Sequence, residues 1–329
     1  MFKWVSVLLS TVALAIAALI CSLLYAPQGA MAAYSCSGKH IYPPQNLTLI
    51  AENSPAGTIF CIHDGTYNVS SPVRAQNNDR YIGLYNDSTR PEVVTSRAPQ
   101  LFNATGSSGV EIKGLTIAGA VGGNHCEPGC GQGIRGGDNL TVRNAWITNN
   151  KNNGIGGVGP RLLVEDSIIN YNGSYSFSIL DGGLSTTAGI KSSRGSLTVL
   201  RSEVTHNYWN GVWCDNDCSA LTVKNSTLSS NGKAGIQNEI SSGPAVITGN
   251  NIMGNSHLVA ANRHAGLLIV SSSRVDVYNN TFGDNVGPGV KFIDDGRSPG
   301  LSDVKFHNNI MNLDALEGCH LSGVSCYGN

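Results

Sequence analysis

The chain has 329 residues, of which 41% are hydrophobic, 7% aromatic and 13% charged. Its 22 acidic and 21 basic residues give a formal net charge of −1, which supplies no electrostatic footprint for nucleic acid or an anionic membrane. Charge this sparse excludes a coiled coil and the aliphatic content excludes a disordered chain, while 40 glycines beside abundant Asn, Ser and Thr point to short strands joined by tight turns.

The N-terminus reads as an address. Lys3 precedes a nearly all-apolar stretch from Val5 to Tyr25, followed by Pro27 and the small-residue site Ala30-Met31-Ala32. That is the layout of a secretory signal peptide over residues 1–32. A retained membrane anchor is the alternative. Of nine cysteines, Cys21 falls in this segment and eight remain. An even number in an exported chain reads as disulfides, and the spacing suggests Cys126 with Cys130, Cys214 with Cys218, and Cys319 with Cys326. Cys36 then pairs with Cys61 by elimination. Zinc ligation is the rival reading for these pairs.

From Val110 onward one phrase recurs: an alternating apolar stretch, an Asn-rich turn, then Gly followed by Ile, Val or Leu. Copies start at Val110, Leu140, Leu162, Leu197, Leu221, Ala245, Val275 and Val304, the closest being 22 to 24 residues apart. Such a unit is too short for a β/α repeat, which needs about 30 residues, and it lacks helical periodicity. Strands of three to five residues separated by turns suit one coil of a parallel β-helix. Asn150, Asn172, Asn207, Asn231, Asn255 and Asn285 recur at one register, where stacked amides could bond to one another and to the backbone.

The LTVRNAWITNN phrase starting at Leu140, its Gly154-Ile155 step and their copies resemble the right-handed parallel β-helix repeat of the pectate-lyase-like superfamily. The stretch from Pro55 to Tyr67 resembles the opening common to exported members. The resemblance implies an all-β, single-stranded, right-handed parallel β-helix of about eight to eleven coils, from near Thr58 to Asn312. Residues 33–109 would hold the N-terminal cap and first coils, 110–312 the regular coils and 313–329 a C-terminal cap. It implies no single reaction, because the superfamily includes polysaccharide lyases, uronan epimerases, glycoside hydrolases, tailspikes and adhesins. Of the polygalacturonase-like motifs only the acid pair Asp294-Asp295 is present, and the stretch Gly211 to Asp217 has the acids of a mannuronan epimerase motif without its Pro and His.

The repeat nevertheless predicts a face. After each Gly-apolar step the next residue points outward, giving a column of Arg135, Gly156, Lys191, Trp213, Gln237, Leu268 and Lys291, with Asp215 and Glu239 in the adjacent column. Coils lie about 4.8 Å apart. Two carboxylates stacked at that spacing should raise one pKa, as an acid or a Ca²⁺ site requires. Trp213 suits a sugar ring, and Lys191 could neutralise a uronate or serve as base. Lys191, Asp215 and Glu239 are therefore the catalytic candidates, with Trp213, Arg135, Gln237 and Lys291 as binding candidates. His206, His264 and Arg263 are expected on loops beside this face, and Asp294-Asp295-Gly296 reads as a turn. The expected protein is a secreted or periplasmic monomer that binds or acts on acidic polysaccharide, with Ca²⁺ as the one cofactor considered and neither nucleic acid nor membrane as partner of the mature form. A non-catalytic glycan-binding or adhesin β-helix is the other reading.

Overall fold

The computed structural model describes residues 36–84, 90–122, 130–157, 159–174, 187–258 and 264–329. The leader expected over residues 1–32 lies outside these, as do Cys126 and Arg263. Short strands stack into three parallel sheets of 12, 10 and 10 strands. We call these sheets A, C and B respectively, since each regular coil visits A, then B, then C. One coil runs Leu140–Arg143 in A, Trp146–Thr148 in B and Ile155–Gly157 in C.

Period-2 alternation decides what enters the core. In sheet A, Ile112, Val142, Val164, Val199, Val223, Ile247, Val277 and Phe306 form one inward column, each pairing with the next and all fully buried. Sheet C contributes Phe102, Ile134, Ile155, Ile190, Val212, Ile236, Leu267 and Val290 in the same way. Each such side chain stabilises the fold by roughly 1.5–3 kcal/mol through burial.

Polar ladders close the corners. At the B-to-C corner, Asn150 Nδ2 donates to Asn172 Oδ1 at 2.9 Å, and the chain of amides continues through Asn207, Asn231 and Asn255 to Asn285. Sequence spacing anticipates this ladder. It does not anticipate a second one at the A-to-B corner, where Ser167, Ser202 and Ser226 hand over to Asn250, Asn280 and Asn309. The repeating glycines now have a reason. A Cβ on Gly133, Gly154, Gly189, Gly211 or Gly266 would come within 2.7–2.8 Å of a ladder Asn Nδ2, so the Gly column makes room for the Asn column.

The stack extends beyond the repeat legible in the sequence. Sheet A begins at Lys39–Ile41, before Thr58, and ends at Val324–Tyr327. Residues assigned to a C-terminal cap thus continue the coils, because Val304 pairs with Val324 and Lys291 with Glu317. A six-residue helix, Leu47–Glu52, buries Leu47 and Ala51 near the N-terminal end. Disulfides join Cys36 to Cys61, Cys214 to Cys218 and Cys319 to Cys326, with Cα separations of 5.8, 5.7 and 5.9 Å. Cys130 is also disulfide-bonded.

Candidate functional site

The outward face of sheet C carries the predicted columns. Lys191, Trp213, Gln237, Leu268 and Lys291 pair in sequence across successive strands, and Arg135 pairs with Gly156, which pairs with Lys191. Lys191 lies on Ala188–Ser193, Trp213 and Asp215 on Asn210–Asp215, and Gln237 and Glu239 on Ala234–Glu239. These three strands bring five of the seven candidates together. Arg135 and Lys291 stand two coils away on either side. Gly156 separates Arg135 from the cluster, and Leu268 separates Lys291, whose Nζ is paired with Glu317 at 2.9 Å.

The cluster is more buried than an outward register suggests. Trp213 is 7% exposed, Gln237 1%, and Asp215 and Glu239 6% each. Lys191 Nζ lies 3.5 Å above the centroid of the Trp213 ring and 3.2 Å from Asp215 Oδ2. The Trp213 ring is therefore no open platform for a sugar, which corrects the expectation of an exposed stacking surface. A lysine on the preceding coil reaches it first. The edge of the ring is closed as well, its Nε1 buried with no hydrogen-bond acceptor among the described residues.

Two cations missing from the predicted set complete the cluster. Arg297 Nη2 donates to Glu239 Oε1 at 2.6 Å and also pairs with Asp295 at 2.7 Å. Lys233 Nζ donates to Gln237 Oε1 at 2.9 Å, and Gln237 Nε2 donates to Glu239 Oε2 at 2.5 Å. The signals for both were faint. Lys233 immediately precedes the strand, and Arg297 follows the Asp294-Asp295-Gly296 turn, where alternation no longer says which way a side chain points. That turn forms as expected, with Gly296 N–H donating to Asp294 Oδ1.

Burial pushes the Asp215 carboxyl above its ordinary range, and the nearby Glu239 charge adds to this, against the opposing pull of Lys191. Asp295 moves the other way, held well below the carboxylate range first by its hydrogen bond from Arg297 and then by Ser271. The cluster thus sets a carboxyl whose pKa is raised by burial beside the Glu239 side chain and Lys191, a set suited to proton transfer. It does not suit calcium. Asp215 and Glu239 are each already paired with a side-chain cation, and no group of three or more His, Cys, Asp or Glu among the described residues could hold a metal.

His206 is not beside this face. It lines a separate groove at the B-to-C corner with Tyr171, while His264 abuts the turn at Gly287.

The architecture and this outward-facing cluster define a parallel β-helix with a polar axial face. The chain belongs to the family described as the right handed beta helix region, matched over residues 100–282 and 202–329. No curated protein sequence matches it significantly. Among solved structures it is similar to PfbA, a surface adhesin of Streptococcus pneumoniae, at 12% identity and a TM-score of 0.53, covering 87% of this chain and 79% of that one. It is also similar to pectate lyase Pel9A, at 15% identity and a TM-score of 0.49 over 89% and 82% of the two chains. The A-module of mannuronan C-5 epimerase AlgE6 from Azotobacter vinelandii matches at 14% identity and a TM-score of 0.49, over 86% and 92%. At these identities the likeness is one of fold alone.

Proposed function

We propose that the protein is exported and, as a monomer, acts on an acidic polysaccharide laid along the outward face of sheet C, by lyase-type chemistry. One arrangement carries the reading: Lys191, Trp213 and Gln237 stand in one column, with Asp215 and Glu239 on the strands of Trp213 and Gln237 and the Asp215 carboxyl raised above its ordinary range by burial. Three disulfides support an oxidising compartment.

In such a step the C–H bond next to the uronate carboxyl breaks, a carbon–carbon double bond forms, and the bond to the departing sugar oxygen breaks. Lys191 neutralises the uronate charge, which makes the proton easier to remove. The ionised carboxylate of the Asp215/Glu239 pair takes that proton, and the protonated one supplies a proton to the departing oxygen. Arg135 and Lys291 meet uronates two coils to either side.

A second reading has its own support. Glu239 already accepts from both Gln237 and Arg297, an arrangement suited to a fixed charged surface that binds glycan without turnover.

The test is absorbance from unsaturated uronate ends with pectate, alginate and glycosaminoglycans, run beside a binding measurement. Turnover of one of these, reduced by about 10²-fold or more in Asp215→Asn and Lys191→Met, is the expected result. Binding without absorbance selects the non-catalytic reading. Neither binding nor turnover with any of the three overturns both.

A further inference from the structure

The outward column of sheet C continues past Arg135 toward the N-terminal end. Arg74 pairs with Asn103, and Asn103 with Arg135, so the three occupy one position in three successive coils. Gly156 and Lys191 follow in the same register. Gly156 presents no side chain of its own. The Gln132 amide lies across it, where a Cβ would run into Gln132 Nε2 and Oε1.

This end of the face differs from the charged cluster in both charge and pairing. The strands Val73–Arg74, Gln100–Asn103, Gln132–Arg135 and Ile155–Gly157 carry no Asp or Glu. Farther along, every cation near the column shares its charge with a carboxylate or an amide. Lys191 pairs with Asp215, Lys291 with Glu317, and Arg297 with Glu239 and Asp295, while Lys233 donates to Gln237. Among the described residues neither Arg74 nor Arg135 has a side-chain hydrogen bond or ion pair. Arg74 is exposed and Arg135 half-buried. Asn103 between them accepts from the Thr105 N–H at 2.9 Å, which leaves its own amide N–H groups unused among the described residues. The strip therefore offers donors alone, a guanidinium, an amide and a guanidinium in successive coils. A partly buried cation without a counter-charge is unfavourable, and an anion from solution relieves it.

From this we propose that Arg74 and Arg135 clamp two same-side carboxylates of a (1→4)-linked uronan whose linkages are equatorial at both positions. The proposal rests on the reading of sheet C as the acidic-glycan face, and adds the linkage that fits and the direction in which the chain extends. A guanidinium fork takes a carboxylate in two parallel hydrogen bonds. The two arginines stand two coils apart, about 10 Å. A diequatorially linked chain is an extended ribbon whose successive rings face opposite ways, so carboxylates on one edge recur every second ring, close to that spacing. A diaxially linked chain advances less per ring and falls out of step with it. Asn103 then lies opposite the intervening ring, where its N–H groups meet hydroxyl or ring oxygens. The chain extends from the cluster toward the N-terminal coils, because the other side offers only Lys291, already shared with Glu317, beyond a fully buried Leu268.

The test titrates the full protein calorimetrically at physiological salt with two hexamers. One is β-(1→4)-mannuronate, linked equatorially at both positions, and the other α-(1→4)-galacturonate, linked axially at both. The mannuronate hexamer should bind tenfold or more tighter. Arg135→Gln should weaken it tenfold or more and Arg74→Gln threefold or more, while Arg135→Lys recovers part of the loss. Both Gln variants remove unpaired side chains, so they should melt no lower than the parent. Arg80→Gln, which removes a cation of sheet A paired with Glu111, should bind as the parent does. Parent affinity in both Gln variants overturns the proposal and leaves the charged cluster as the binding face. An equal loss in Arg80→Gln also overturns it, by showing unspecific attraction. Equal affinity for the two hexamers, or preference for galacturonate, overturns the linkage assignment. If neither hexamer binds but pectate, alginate or a glycosaminoglycan does, this proposal alone falls. If none of them binds, the acidic-glycan reading falls with it.

Discussion

Asp215 and Asp295 belong to one charged cluster yet titrate in opposite directions, and this gives its chemistry a pH signature. The folded pKa of Asp215 is raised from its ordinary 3.8, so the folded state holds this proton more tightly than the unfolded one. Its stabilising contribution is complete below that ordinary value and is lost as pH rises through the folded value. Asp295 is depressed, so its contribution is present above 3.8 and lost as pH falls. Melting curves at pH 3 and pH 7 separate them. Asp295→Asn should lower Tm more at pH 7 than at pH 3. Asp215→Asn should gain on the parent as pH rises across the same range. Equal shifts at both pH values would show that neither carboxyl is perturbed. Alternation along Asn210–Asp215 and Ala234–Glu239 made Trp213, Asp215, Gln237 and Glu239 legible in the sequence. Their burial was not, because it depends on what lies over the face. Arg297 was hidden for a different reason: it sits past a turn, where a period-2 pattern carries no direction.

At the scale of the repeating element, Gly and Asn act as one device. Gly211 leaves 2.8 Å between a would-be Cβ and Asn231 Nδ2, and Asn207 donates to Asn231 Oδ1 at 3.0 Å while accepting from Asn172. Gly211→Ala should cost about 1–3 kcal/mol through overpacking. Asn207→Ala should cost a similar amount, about 1–3 kcal/mol, by leaving buried amides of the neighbouring coils unpaired. Because both disturb one contact network, the double variant should fall short of the sum, which denaturant titration of all three would read. The Asn register and the Gly step were each visible in the sequence, and so was the strand period. Their interdependence was not, since it is a distance between coils. The Ser167, Ser202 and Ser226 part of the second ladder was equally hidden, because a hydroxyl and an amide fill the same bonding position without sharing a sequence pattern.

At the scale of the whole molecule the two ends differ, and the difference should govern how the solenoid opens. A stack in which each coil touches only its neighbours loses structure from the end with the weakest interface. At the N-terminal end, Leu47 and Ala51 of the short helix are buried in the main core. The C-terminal coil instead leaves Ile310 58% and Tyr327 53% exposed, with strands Leu316–Glu317 and Val324–Tyr327 at the margins of sheets C and A. Cys319–Cys326 closes a loop between these two strands, so this disulfide ties the last visit to sheet C to the last visit to sheet A. Replacing both cysteines with serine should therefore speed amide exchange across Leu316–Tyr327 by tenfold or more. Exchange in the central strands of sheet A, such as Ser196–Leu200 and Ala220–Lys224, should not change. If exchange instead rose uniformly along the chain, the solenoid would open as a single unit, and the end would have no stability of its own to lose.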